Sequence, residues 1–440
     1  MIKQNNNQSY LPKMMLTDDG QAPEAPANLA GTGIDIPILL DLVLKVAHIH
    51  SQISTNGVAE YLMLPRTVTS ELLEQLRVDA LLEVHGQDEV FGYRYSISKR
   101  GREMATRLLE HNGYIGPAPV PFEAYKAMLE WQIAQNPPVS SGQIKEVLAD
   151  LVLSEDVINV AGLAISSGRS LFISGPPGNG KTSIGRKLHD ALSGTLWIPH
   201  CIAVENNIIR IFDAHCHDVI EHANRKHQAI DRRWVKIKRP FIVAGGEMTL
   251  ESLDLAYLPA LKFYEAPLHM KANGGTFLID DFGRQRVAPD ALLNRWIIPL
   301  EHQIDFLTLH TGQKIQVPFL LRLIIATNLD TDKVTDPAFL RRLGYRTHIN
   351  APTEEMYINI FRQYAKRHEL SVEEDLIEHI LRRYRSTGRE IRACEPRDLI
   401  ERVRDVCLHT GQQFHLNKAL LDLAWNGYFG SDEYIYTKSA

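Results

Sequence analysis

The run Gly175-Pro-Pro-Gly-Asn-Gly-Lys-Thr182 holds the residue types that a polyphosphate needs, at the spacing GxxxxGK[ST]. Glycines let the backbone turn its N–H groups towards phosphate oxygens, Lys181 neutralises β- and γ-phosphates, and the Thr182 hydroxyl is a ligand for Mg²⁺. Gly175, Pro176, Pro177, Gly178, Asn179, Gly180, Lys181, Thr182 and Ser183 are therefore the candidate nucleotide contacts. A second group closes the run Gly274-Gly-Thr-Phe-Leu-Ile-Asp-Asp281, an apolar strand ending in two carboxylates. Downstream of a phosphate loop, Asp280 suits the Mg²⁺ shell and Asp281 suits the attacking water. A third apolar run, Leu321 to Asn328, ends in an amide. Arg341 and Arg342 follow a helical turn, and Arg397 opens a helix in Glu395-Pro-Arg-Asp-Leu-Ile400. Read one at a time, Asn328 is a turn residue, the arginine pair a solvated basic face and Arg397 an ordinary helix opening.

These side chains need elements to hold them. Leu171-Phe-Ile-Ser174 reads as a short strand and Ile184, Leu188 and Leu192 as one face of a helix, the strand–loop–helix context that the motif requires. The fold class expected is α/β: a P-loop domain with a mainly parallel sheet over residues 140–350, then a helical lid domain over 351–440. Residues 1–33, rich in Asn, Gln, Pro, Ala and Gly, read as a disordered lead-in. Residues 34–112 pattern as short helices followed by a period-two hairpin, and resemble a winged helix-turn-helix domain. Gly116-Pro-Ala-Pro-Val-Pro121 and Asn136-Pro-Pro138, with an amphipathic piece around Tyr125 to Gln132 between them, mark 113–139 as a semi-rigid, Pro-rich linker.

The order of motifs resembles that of an AAA+ ATPase over about residues 140–430. The resemblance implies ATP and Mg²⁺ as cofactors, a Walker A loop at 175–182 and a Walker B strand at 276–281. It gives Lys181 and Thr182 the phosphates and metal, Asp280 the Mg²⁺ and Asp281 the activation of water. Asn328 matches sensor 1. Arg342, with Arg341 as the close alternative, matches the finger that reaches into a neighbouring subunit's nucleotide. Arg397 matches sensor 2, which reports the γ-phosphate to the lid. A homo-oligomeric ring, expected to be a hexamer, follows from the finger acting in trans. One departure is Asp281, where the family usually has glutamate; the acid is one methylene shorter, and slow turnover is the expected consequence.

The stretch between Lys181 and Asp280 is longer than one helix-strand-helix unit needs, so an insertion is expected there, over about residues 190–273. Ile304 to Phe319 reads as two alternating strands around Thr311-Gly312, which resembles the pre-sensor-1 hairpin branch of AAA+ proteins, MoxR-like or a neighbouring group. The GAFTGA loop of σ54-dependent activators is missing. His200, Cys201, His215, Cys216, His217 and His222 lack paired zinc spacing and read as packing or surface residues. Arg232, Arg233, Lys236, Lys238 and Arg239, beside Trp234 and Phe241, read as a solvated strand face rather than a nucleic-acid surface. Phe263-Tyr264 is a weak pore-loop candidate.

A chain of 440 residues suggests two or three domains, and 48 Lys+Arg against 53 Asp+Glu, a formal charge of −5, exclude a protein that coats nucleic acid through a global positive field. Residues 35–111 carry eight basic and eleven acidic side chains, a charge of −3, so a protein partner is expected there; DNA contact through Arg94, Lys99, Arg100 and Arg102 is the alternative. No run approaches the roughly 18 apolar residues of a membrane span, and no signal core opens the chain, so a cytoplasmic protein with four reduced cysteines is expected. The function implied is an ATP-binding and ATP-hydrolysing AAA+ protein, chaperone-like, that remodels or assembles an unidentified protein client as a ring. The alternatives are a DNA-associated ATPase and a nucleotide-switched scaffold with little turnover.

Overall fold

Strands that are apolar at every position, not at alternate ones, need cover on both faces, which is what a parallel sheet between helices provides. Five segments build one here, β1 (Leu171–Ser174), β2 (Phe241–Ala244), β3 (Thr276–Ile279), β4 (Arg322–Thr327) and β5 (Tyr345–His348); β1, β3 and β4 are buried almost throughout, and the edge strands β2 and β5 are partly exposed. The computed structural model describes residues 10–87, 93–221, 229–329 and 341–430. The five strands form one sheet in the order β2-β3-β4-β1-β5, and every neighbouring pair is parallel. Alternate side chains divide between two cores. Ile173, Leu278 and Ile324 meet Ile184 and Leu188 of the helix Lys181–Asp190, together with helices Ser141–Leu148 and Glu155–Ser167. Phe172, Phe277 and Ile325 meet Leu292, Leu293 and Trp296 of the helix Pro289–His302 on the other face. Four helices over 354–429 close the chain around a separate core that contains Tyr357, Phe361, Leu399 and Trp425. The fold is thus mixed α/β with a parallel sheet and a helical C-terminal region.

Between the helix Lys181–Asp190 and β3 lies an insertion with sheets of its own. Thr195–Pro199 pairs antiparallel with Trp234–Lys238, and a second five-stranded sheet joins 256–258, 263–265, 207–210, 201–204 and 120–121. The antiparallel hairpin Ile304–Thr308/Lys314–Pro318 buries Leu307, Leu309, Ile315 and Val317 in the insertion's core. Upstream, helices Ile36–Ile49, Thr55–Leu62, Arg66–Val78 and Lys99–His111 pack with a three-stranded antiparallel sheet. Their core runs without a break into the insertion through Cys201, Ile208 and Phe263.

Several expectations change. The lead-in is ordered from residue 10: Met14–Thr17 pairs with Gly20–Pro23, and Ala22 is buried. Its anchors are far away in sequence, with Trp197 Nε1 donating to Gln21 O at 3.0 Å and Lys236 Nζ to Asp19 O at 2.9 Å. The Pro-rich stretch holds a helix, Phe122–Ala134, whose Tyr125, Met128 and Leu129 are buried. The basic strand is no solvated face. Arg233, 4% exposed, pairs with Asp231 at 2.8 Å and donates to Thr32 O and Pro119 O, while Arg239 donates to Ser193 O and Gly274 O. Phe263 and Tyr264 are buried strand residues, which removes them as a pore loop. Cys201 Sγ donates to Pro117 O and the His217 ring bonds Lys271 O; His222 lies outside the described residues. Among the described residues no cluster of His, Cys, Asp and Glu could hold a metal, and no helix is long and apolar enough to cross a membrane.

Arg233 ties three segments to one buried carboxylate, so removing its charge strands Asp231. Arg233→Met should cost about 3–5 kcal/mol, read as a lower denaturant midpoint with early protease cleavage around residues 10–35, while Arg232→Met, whose pair with Glu60 is exposed, should cost under about 1 kcal/mol.

Candidate nucleotide and metal site

In the sheet order β3-β4-β1 the C-terminal ends of three adjacent strands open at one place. β1 leads into the loop 175–180, where Gly175, Gly178 and Gly180 have φ of 144°, 81° and 80°. At Gly175 a Cβ would stand 2.1 Å from Ile349 O, so the close approach of β5's exit, as well as the turn, demands glycine. The helix that begins at Lys181 aims its first N–H groups and its dipole into this loop.

The side chains named from the sequence converge here. Lys181, 6% exposed, donates to Gly175 O and Pro176 O at 2.8 Å and to Asn328 Oδ1 at 2.6 Å. Burial lowers its pKa, against the pull of Asp280 and Asp281. Asn328, at the exit of β4, donates through Nδ2 to Asp281 Oδ1 at 2.5 Å. Thr182 Oγ1 donates to Asp280 Oδ2 at 2.7 Å. The lysine therefore faces three neutral oxygens, and an anionic phosphate oxygen is a stronger acceptor for an ammonium than any of them. Thr182 and Asp280 present a hydroxyl and a carboxylate side by side, hard oxygen donors of the kind Mg²⁺ takes with phosphates completing its shell.

The lid touches the loop directly. Cys394 N donates to Gly178 O at 2.9 Å and Ala393 N to Asn179 Oδ1 at 3.1 Å. Beside this contact lies a cleft of about 190 Å³, bounded by Leu151, Val152 and Leu153, by Gly178 to Gly180 and Ser183, and by Ile360, Tyr364 and Arg397 of the lid. Sequence reading missed its apolar wall; the run Leu151-Val-Leu153 just before the helix 155–167 was the available signal. Arg397 borders the cleft with its guanidinium on the neighbouring Asp398, at 2.9 and 3.0 Å.

Arg341 and Arg342 do not join this group. Gly344 N donates to Ser170 Oγ, which puts both arginines at the N-terminal end of β5, a strand length of about 13 Å from the phosphate-loop end of β1. Arg342 Nε is held by Glu301 Oε1 at 2.6 Å and Arg341 is exposed. Neither serves this chain's own loop.

The helical C-terminal segment 353–427 matches the model of a domain of unknown function, DUF8689. No curated protein matches the sequence. Among solved structures, the chain is similar to the Thermotoga maritima RuvB Holliday junction branch migration motor, with 16% identity, 64% of this chain and 72% of that chain covered, and a TM-score of 0.38. It is also similar to NtrX from Brucella abortus in complex with ADP, with 16% identity, 77% and 69% covered, and a TM-score of 0.40.

Gly178 carries the lid contact in a left-handed conformation, and a Cβ there would stand 2.7 Å from Cys394 Sγ. Gly178→Ala should weaken nucleotide binding by about tenfold or more, the loss expected when backbone strain of 1–3 kcal/mol falls on one loop. Gly168→Ala, also at positive φ but with open space around it, should leave binding unchanged; titration with a fluorescent ADP analogue reads both.

Proposed function

We propose that this chain is an AAA+ ATPase that binds ATP with Mg²⁺ at the phosphate loop and hydrolyses it at the interfaces of a homo-oligomeric ring, a hexamer, to remodel or assemble a protein partner. The observation that carries the reading is the closed set of contacts Thr182–Asp280 and Lys181–Asn328–Asp281 at the meeting of three parallel strand ends. When bound, Mg²⁺ would neutralise charge on the β- and γ-phosphates, held by Thr182 and Asp280. Lys181 binds the phosphate oxygens and the loop N–H groups orient them. Asp281, just past the end of β3, accepts a proton from water at its carboxylate, which the Asn328 amide orients. Arg397, at the cleft wall, supports sensor 2, through which the lid follows the γ-phosphate. The distance of Arg341 and Arg342 from their own loop supports action in trans, with Arg342 as the finger and Arg341 as the alternative.

A protein client is favoured over DNA. Arg233, Lys236 and Arg239 are spent on internal carbonyls and Asp231, and the exposed face of the helix Arg66–Val78 presents Glu71 and Glu74. Arg66 and Arg77 on the same face only balance these acids, so, read as a winged helix-turn-helix, residues 34–112 offer a duplex no net positive charge through that helix. The scaffold reading rests on Asp281 being the shorter acid, with ATP binding alone switching assembly. The hairpin 304–318 supports the pre-sensor-1 branch, and a cytoplasmic location fits a chain whose four cysteines are free.

The test is ATP hydrolysis per protomer across protein concentration. The rate should rise with concentration and fall at least about a hundredfold in Lys181→Ala and in Arg342→Ala. A mixture of these two inactive variants should regain activity, because one supplies an intact loop and the other an intact finger. A rate no faster than Lys181→Ala in the wild type, with ATP bound, refutes hydrolysis and leaves the switched scaffold.

A further inference from the structure

Asp281 stands in a conformation that an L-residue reaches at a cost. Its φ is 49°, and Gly283 two residues on has φ of 96°. A non-glycine residue is strained in the left-handed region, so something must hold the turn. Phe282 is one anchor: its side chain is fully buried against Phe172, its N–H donates to Ala326 O, and Thr327 Oγ1 donates to its carbonyl. Asp280 N–H donates to Ala244 O and Arg284 N–H to Asp281 O, both at 2.9 Å, and one side-chain amide spans the rest of the turn. Gln285 Nε2 donates to Asp280 O at 2.8 Å and to Asp281 O at 3.3 Å, while its Oε1 accepts from Gly283 N–H at 2.7 Å.

We propose that Gln285 is a positioning residue for hydrolysis, holding the turn 280–283 so that the Asp281 carboxylate stays on Asn328 and faces the water. The proposal rests on the ATPase reading above. Three bonds to three different backbone groups fix the amide in one orientation, with its nitrogen on two carbonyls and its oxygen on one N–H. No other side chain at this position repeats that set. A carboxylate keeps the acceptor and turns a second oxygen onto two carbonyls, an apolar chain of equal length loses all three bonds, and asparagine is one methylene short. The burden falls on geometry because Asp281 is the short acid: with one rotatable bond fewer than glutamate, its carboxylate has little freedom to recover a distance that the backbone loses. Asp280, by contrast, is also held from outside the turn, by its N–H on Ala244 O at 2.9 Å and by Thr182 Oγ1 on its Oδ2 at 2.7 Å, so binding should suffer less than catalysis.

The experiment compares wild type, Gln285→Ala and Gln285→Glu in the full chain. Both variants should bind the Mg²⁺–ATP complex within about twofold of wild type and lose about tenfold or more in kcat, the scale set by sub-ångström misplacement of a catalytic group. A kcat within twofold of wild type, or equal losses in binding and kcat, overturns the proposal. If wild type itself hydrolyses no faster than Lys181→Ala, the ATPase reading fails instead, and hydrogen–deuterium exchange decides the positioning separately. Faster exchange at residues 281–284 in both variants supports it and unchanged exchange overturns it.

Discussion

A lysine ammonium buried at the mouth of a parallel sheet must find oxygens, and the architecture around Lys181 follows from that requirement. Two of the oxygens come from the loop that β1 feeds and the third from Asn328 at the exit of β4. They are within reach because β4 and β1 are neighbours in the sheet, with Thr327 opposite Ser174 in register. Placing β3 on the far side of β4 then brings Asp280 to Thr182 and Asp281 to Asn328. A different strand order would carry the same motifs on the same strands and leave them too far apart to bond. The helix Lys181–Asp190 is held against this sheet by Ile184, Leu188 and the close contact of Gly185 with Leu278, so its N-terminus cannot drift from the strand ends it serves.

The N-terminal module is not a bead on a string. Its core passes into the second sheet, the strand 120–121 belongs to that sheet, and Arg233 draws residues 32, 119 and 231 together. The helix Phe122–Ala134 packs with the insertion and the helix Ser141–Leu148 packs with the helices on the parallel sheet, so the short stretch containing Pro137 and Pro138 separates the two allegiances. The hairpin before β4 also buries its apolar side in the insertion. Any displacement of the insertion relative to the sheet therefore takes the N-terminal helices with it, which is a mechanical property of continuous packing and needs no separate coupling device.

What the sequence disclosed and what it hid divide along contact distance. The phosphate loop, the paired acids and Asn328 were readable because each is a polar residue at the end of a short apolar strand, and the hairpin 304–318 because its alternation is local. The order of strands was not readable, because it is set by pairings between segments far apart in sequence. The hairpin 14–23 has no periodic signal of its own and is ordered by Trp197 and Lys236, far along the chain. The basic strand 232–239 was misread for a related reason: charge counting sees Arg233 and Arg239 but not the buried Asp231 and carbonyls that receive them. The lid's hold on Gly178 and Asn179 was equally invisible, since Ala393 and Cys394 act through backbone N–H groups that carry no residue signature.

Asn328 deserves its place at the centre for a geometric reason. Its Oδ1 accepts from Lys181 and its Nδ2 donates to Asp281, and both atoms belong to one planar amide. The group therefore cannot rotate to release the lysine without also moving the donor that holds the acid. An anion that draws Lys181 away removes one side of that balance and leaves the Asp281 bond, itself charge-assisted, as the stronger remaining constraint. On the proposed reading, recognition of phosphate and orientation of the acid are in this way tied through a single side chain. The tie works only while the turn behind Asp281 stays fixed, because a carboxylate on a loose backbone would follow the amide instead of being aimed by it.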